Sequence, residues 1–258
     1  MLRILIVISF FFIADPVLAQ NNYEIQVYGS ELVAPANTML ELHSNITLNG
    51  SKTVQDGVLP TQGAIHETVE ITHGFTNWME VGFYFFNSIG DQNRTNYVGS
   101  HVRPRFAVPE SAKFPVGLSL SFEVGSQKRE FSTDNWTLEL RPIIDKTMGR
   151  WYFAINPTLD RSLSGLNSDK GFIFSPNAKV AYTLSDLVST GLEYYGSTGP
   201  VFSPSPTSQQ ENQLFGVVDL NFSSQWEFNA GYGMSFNNVA DGSIIKIIVG
   251  RRFGNKTE

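Results

Sequence analysis

The chain has 258 residues, no cysteine, a net charge of -6 and 16% charged residues against about 25% in ordinary soluble domains, while aromatic residues reach 13%. The lack of cysteine excludes a disulfide-stapled scaffold, and a mild, scattered negative charge with no basic stripe excludes nucleic acid as a partner. So low a charge content also argues against a surface that faces water on all sides.

The first element is MLRILIVISFFFIADPVLAQ, with one early cation at Arg3, an apolar run over 4–14 and Val17, Leu18 and Ala19 as a small-residue cleavage site before Gln20. This pattern predicts a secretory signal over 1–19, too short in its apolar run to span a membrane comfortably. No later stretch approaches the roughly 18 continuous apolar residues that a membrane helix needs. A membrane protein built from this chain must therefore use strands. Residues 20–36 read as a periplasmic N-terminal segment. Within it YEIQVYGSELVAPAN alternates only briefly before Pro35, which leaves a periplasmic lead-in and a partial strand at a barrel mouth both open.

From residue 37 on, apolar and polar residues alternate with the period of two that marks a strand with unlike faces. Twelve such segments lie near 37–48, 64–73, 77–87, 96–107, 115–125, 134–143, 149–160, 171–183, 187–197, 212–223, 225–236 and 243–253. Their length suits tilted strands that cross a bilayer. Links after odd segments are mostly long and polar, such as NGSKTVQDGVLPTQG and STGPVFSPSPTSQQEN, while those after even segments are mostly tight, such as HGFT, DKTMG and LSDL. This rhythm predicts an all-β fold, a transmembrane antiparallel up-and-down β-barrel of about twelve strands over 37–253, with long extracellular loops, short periplasmic turns and a C-terminal tail over 254–258.

Parity assigns the faces. In QWEFNAGYGMSF the series Trp226, Phe228, Ala230, Tyr232, Met234 and Phe236 is expected to meet lipid, with Glu227 and Asn229 turned to the lumen. Trp151, Trp226, Phe106, Tyr182, Phe222 and Phe253 would form a periplasmic aromatic girdle, and Phe85, Trp136, Phe172, Tyr194 and Phe236 an outer one. Trp78 falls on the wrong parity for lipid, and Glu67 falls on the lipid face. In the last segment, SIIKIIVGRRF, Lys246 is on the lumen side, and the terminal aromatic resembles the closing strand by which the assembly machinery of bacterial outer membranes recognises its clients.

The stretches EIQVYGSELVAPANTMLELHSN, HETVEITHGFTNWMEVGFYFF, HVRPRFAVPES, GRWYFAINPTLDRSLSG, GFIFSPNAKVAY and GLEYYGSTGP resemble a family of uncharacterised bacterial outer-membrane barrel proteins, over nearly all of the mature chain. The resemblance implies a fold, a place in the bacterial outer membrane, and contact with outer-membrane lipid. It implies no activity.

Function must then be read from the lumen. Glu41, Glu70, Glu80, Asp219 and Glu227 share lumen parity on strands that become contiguous when the barrel closes, and Arg103, Arg105, Arg141, Arg150 and Lys179 lie opposite them. Two such walls would constrict a narrow pore for a small polar solute or ion. The competing expectation is a structural or surface-binding barrel whose lumen these pairs fill, because about eight strands leave a filled interior and about sixteen an aqueous channel. Tyr84, Phe86, Tyr97, Tyr152, Tyr195 and Phe215 narrow the lumen further. Some twelve-stranded outer-membrane barrels are lipid hydrolases that use His and Ser on one strand face, which requires His-x-Ser spacing, and none of His43, His66, His73 and His101 is followed by Ser two residues on. No catalytic residue, cofactor or metal is expected; His43 and His66 share a face but lack a third defined ligand.

Overall fold

The computed structural model describes residues 22–90, 94–237 and 239–254, so the expected signal segment and residues 255–258 lie outside the described residues. Twelve antiparallel strands close into one barrel: β1 (Thr38–Asn49), β2 (Ile65–Thr76), β3 (Met79–Ile89), β4 (Thr95–Ala107), β5 (Gly117–Gln127), β6 (Asp134–Met148), β7 (Trp151–Gly165), β8 (Phe172–Ser185), β9 (Val188–Ser197), β10 (Glu211–Ser223), β11 (Trp226–Ser235) and β12 (Ser243–Phe253). Each pairs with its neighbours in sequence. β1 and β12 complete the ring, with Thr38 opposite Phe253 and Ile46 opposite Ile245, so no edge is left unpaired.

The connections fall into two ends. At one end β2–β3, β6–β7, β8–β9 and β10–β11 join through the turns 77–78, 149–150, 186–187 and 224–225, with a longer link at 108–116. Gly149 takes φ 62°, the left-handed conformation that a two-residue hairpin demands and that glycine adopts without a steric penalty. The other end carries the long loops.

Burial follows the parity read from sequence. Glu41, His43, Asn45 and Thr47 of β1 and His66, Thr68, Glu70 and Thr72 of β2 are buried inside, while Leu40, Leu42 and Ile71 point outward. Phe83, Phe85, Phe122, Phe153, Ile155, Leu192, Tyr232, Met234 and Ile247 continue that exposed apolar surface around the barrel. On a protein surrounded by water such a belt would be an aggregation liability; on a closed barrel it is the face that lipid solvates.

At the short-turn end Trp151 packs edge-on against Tyr182 at 4.8 Å, Trp226 stacks on Phe228 at 5.7 Å, and the Arg251 guanidinium lies over the rings of Trp226 and Phe253. Trp78 belongs to this girdle as well. Its parity is uninformative because it sits in the turn before β3, from which it stacks on Phe106 at 6.1 Å. Glu67 is tolerated on the outer face by a 2.7 Å hydrogen bond from the hydroxyl of Ser44, its cross-strand partner.

Two side chains depart from expectation. Tyr97 is exposed rather than luminal, because the β3–β4 register shifts between Phe86 and Asn87 and the bulge turns Val98 inward in its place. Arg150 is not a wall residue. It occupies the β6–β7 turn, fully outside, where it donates to the carbonyls of Thr183 and Leu184 and covers the Tyr182 ring, since the strand parity extrapolated to it ends at Trp151.

Candidate functional site

The largest departure concerns residues 22–36. Expected as a periplasmic segment, they instead run without regular secondary structure through the inside of the barrel, from the long-loop end to the short-turn end. At the top, the Asn22 amide donates to Asp241 in the β11–β12 loop at 2.5 Å and the Asn22 carbonyl accepts from Asn45 at 2.8 Å. Asp241 is further held by Thr61 at 2.7 Å, and burial raises its carboxyl above the ordinary carboxylate range despite these hydrogen bonds. At the bottom the chain reverses into β1 through Pro35 and Ala36, where Asn37 N–H donates to the Ala34 carbonyl at 3.0 Å and Ala36 takes φ 60°. This is a type II turn, with proline at its favoured second position and a left-handed third. Gly74 of β2 makes room for it: a Cβ there would stand 2.1 Å from the Val33 carbonyl oxygen.

An extended strip with no strand beside it needs another source of partners for its peptide groups. The lumen side chains supply them. Asn156 of β7 imitates a neighbouring strand, accepting from Tyr28 N–H at 2.8 Å and donating to the Tyr28 carbonyl at 3.0 Å. Thr68 of β2 donates to the Tyr23 carbonyl at 2.7 Å, Lys246 of β12 to that of Ile25 at 3.1 Å, and Arg105 of β4 to that of Glu31. Glu80 of β3 accepts from Val33 N–H at 2.7 Å. Side chains from widely separated strands thus converge on one segment at the barrel axis.

Its own side chains fill the remaining space. Ile25 and Val27 pack with Ala154, Tyr195, Phe215, Val217 and Ile244, and Tyr23 packs with Tyr84, Phe86 and Val98. The lumen aromatics therefore line a plug rather than a water column. Tyr28 is the central contact: the guanidiniums of Arg103, Arg141 and Arg105 lie 4.6, 4.8 and 5.8 Å from its ring centre, while its hydroxyl donates to Glu24 at 2.5 Å.

Apart from Arg150 on the outer turn and Glu41, which has no ion pair among the described residues, the charged residues named from sequence come together as interleaved pairs rather than facing walls. Arg103 binds Glu70 at 2.7 Å and lies 3.7 Å from Glu80, and Arg105 binds Glu80 at 3.0 Å, all essentially buried. Lys179 bridges Glu193 at 3.1 Å and Asp219 at 3.0 Å. Arg141 pairs with Glu139 at 2.7 Å and with Glu24 of the plug at 3.2 Å. Glu227 sits half-exposed at the short-turn rim with Arg252 at 3.0 Å. Sequence reasoning missed Glu139 and Glu193, whose parity matches Arg141 and Tyr195 on the same strands, and Lys246 as a partner of Glu193. It also missed Glu24 and Tyr28, which no strand parity could place.

The plug separates two cavities. At the long-loop end a vestibule of about 1000 Å³ is lined by charges of both signs, among them Glu24, Arg94, Glu123, Arg141, Asp160 and Arg161. At the short-turn end a cavity of about 190 Å³ is lined by Tyr28, Glu41, Glu70, Glu80, Arg103 and Arg105 among others. His101 pairs with Glu123 at 2.6 Å beside the vestibule, but among the described residues the one hydroxyl hydrogen-bonded to a histidine is Thr38, on His73, which lies on the outward parity of β2. The hydroxyl, histidine and acid are not assembled in one place.

No family model matches the chain, and no curated protein matches it. Solved structures do. The KdgM porin aligns with a TM-score of 0.54 at 11% identity, over 84% of this chain and 99% of that one. The NanC porin gives 0.53 at 10% identity, over 84% of this chain and 100% of its own. The KdgM porin in complex with disordered oligogalacturonate gives 0.50 at 11% identity, over 84% and 99%. At such identities the likeness concerns architecture: this chain has the closed antiparallel fold of bacterial outer-membrane β-barrels, porins among them.

Proposed function

We propose that the protein is a plugged outer-membrane pore, a narrow path for small polar solutes that residues 22–36 close and that opens when they leave the lumen. The observation that carries this reading is the position of the plug between two polar cavities, held by side chains rather than by a sheet ladder. The surrounding barrel has a complete backbone ladder, so the plug can detach without opening the wall. Local release of a segment that lacks regular pairing costs far less than global unfolding. A vestibule with charges of both signs favours polar solutes without selecting one charge class. The fold likeness to porins agrees with a transport role; the oligogalacturonate bound in one such complex belongs to that porin and names no solute for this chain. We assign the protein no hydrolytic role, because among the described residues the one hydroxyl hydrogen-bonded to a histidine, that of Thr38 on His73, lies on the outward parity of the barrel.

Planar-bilayer recordings on the mature chain and on a variant without residues 20–33 test the reading. The truncated barrel should conduct steadily, and the parent should show rare, brief openings. Equal conductance in both would remove the plug as the gate. Silence in both would favour a filled structural or surface-binding barrel.

The same geometry sets an orientation. With the long loops outside, the plug enters from the extracellular end, so an epitope placed directly before Asn22 should be labelled by antibody on intact cells, as should one inserted between Ser203 and Gln210. An epitope at Ser185 and Asp186 should be labelled only after the membrane is opened. Labelling in the opposite pattern would invert the topology.

A further inference from the structure

We infer that Glu41, His43 and Glu70 form a binding site for a divalent transition-metal cation of the zinc class at the short-turn end of the lumen. Glu41 and His43 stand two residues apart on β1 and so point to the same side, and Glu70 is the cross-strand partner of Glu41 on β2. One ligand atom from each lies within 4.8 Å of the other two, and all three residues are buried.

Their bonding is incomplete in a way that a cation would complete. Glu70 Oε1 accepts from Arg103 and from Thr72, both at 2.7 Å, which leaves Oε2 without a hydrogen bond. The one close polar neighbour of Oε2 among the described residues is His43 Nε2, at 3.4 Å. In a tetrahedral zinc site with bonds of about 2.0–2.1 Å, neighbouring donor atoms stand about 3.4 Å apart, so this pair is already spaced as two ligands of one ion. His43 is 0% exposed, and neither of its ring nitrogens makes a hydrogen bond. A buried imidazole whose Nε2 meets only one carboxylate oxygen, at 3.4 Å, and whose Nδ1 has no hydrogen bond is bound more fully when a cation joins that nitrogen and oxygen.

Charge points the same way. Glu41, Glu70 and Glu80 face Arg103 and Arg105, and both guanidiniums are within 4 Å of Glu80 or Glu70, while among the described residues no ion-pair partner stands within that distance of Glu41. A carboxyl buried beside another must take up either a proton or a cation, and the neighbouring imidazole nitrogen favours the cation. Arg103 and Thr72, by occupying Glu70 Oε1, orient the other oxygen toward His43, as hydrogen-bond partners of metal ligands do. One nitrogen and two carboxylate oxygens, with a fourth position open to the cavity of about 190 Å³ that Glu41 and Glu70 line, suit zinc and its first-row neighbours better than calcium, which takes all-oxygen shells. His66, which shares a face with His43, takes no part; it packs edge-on against Tyr23 at 4.6 Å.

The test uses the mature protein in detergent, stripped with chelator and titrated with zinc, so its result does not depend on whether the barrel conducts. The parent should bind one zinc per chain, with X-ray absorption reporting a mixed nitrogen and oxygen shell. Glu41→Gln and His43→Gln should each weaken binding at least tenfold, and His66→Gln should not. Circular dichroism and gel mobility with and without boiling confirm that each variant keeps its barrel. No stoichiometric zinc on the parent, or the same affinity in Glu41→Gln and His43→Gln as in the parent, would overturn the site; the second result would mark the zinc as adventitious.

Discussion

Arg103→Met should lower the heat resistance of the folded barrel in detergent by the equivalent of about 3–5 kcal/mol, the usual cost of removing one partner from a buried ion pair. The side chain is 3% exposed, binds Glu70 at 2.7 Å and lies 3.7 Å from Glu80. Its guanidinium also covers Tyr28 at 4.6 Å and Tyr84 at 5.2 Å, so it ties the plug to β2, β3 and β4 together. Methionine fills much of the volume and satisfies neither carboxylate. The contrasting variant is Arg252→Met, whose pair with Glu227 is more than a third exposed and should cost no more than about 1 kcal/mol. The midpoint of the gel-mobility change on heating measures both. Equal midpoints for the two variants would mean that water solvates the central cluster and that burial does not set its energy.

The second large effect concerns ion selectivity, measured in the barrel that lacks residues 20–33. Without Tyr28, the guanidiniums of Arg103, Arg105 and Arg141 face the opened lumen beside Glu70 and Glu80. Neutralising Arg103 and Arg105 together should move the reversal potential under a salt gradient toward cation preference, because charged side chains at a constriction set selectivity at close range. Arg150→Gln should leave it unchanged, because that side chain is on the outer turn and donates to Thr183 and Leu184. A shift with Arg150→Gln as large as with the luminal pair would show that the surface potential of the barrel, and not its constriction, controls the current.

Much of the site was legible residue by residue without its arrangement being so. Parity placed Glu41, Glu70, Glu80, Arg103, Arg105 and Arg141 inside because strand side chains alternate strictly wherever the ladder is regular. It failed at Tyr97, where a bulge shifts the register, and at Arg150, where the strand has ended. It also set acidic and basic residues on facing walls. The structure pairs them with near neighbours instead, since a buried charge must meet its counter-charge within about 4 Å to offset desolvation. The luminal aromatics, read from sequence only as narrowing the lumen, also pointed to the plug. Tyr84, Phe86, Tyr195, Phe215 and Ile244 all carry luminal parity, and so much apolar surface inside a barrel needs an apolar partner.

The barrel itself, with its strand number, lipid-facing surfaces, long and short ends and polar lining, follows from a period of two and from turn chemistry, both of which act locally. What the lining touches depends on the closed ring. YEIQVYGS carries no periodicity long enough to betray its place, and its partners Asn156 and Lys246 lie 128 and 221 residues away from the Tyr28 and Ile25 they hold. Contacts of that range exist only after the ring has closed. Whether residues 22–36 stayed outside or threaded the axis was therefore settled by the enclosed volume and by the unpaired polar groups around it, neither of which exists before the barrel forms.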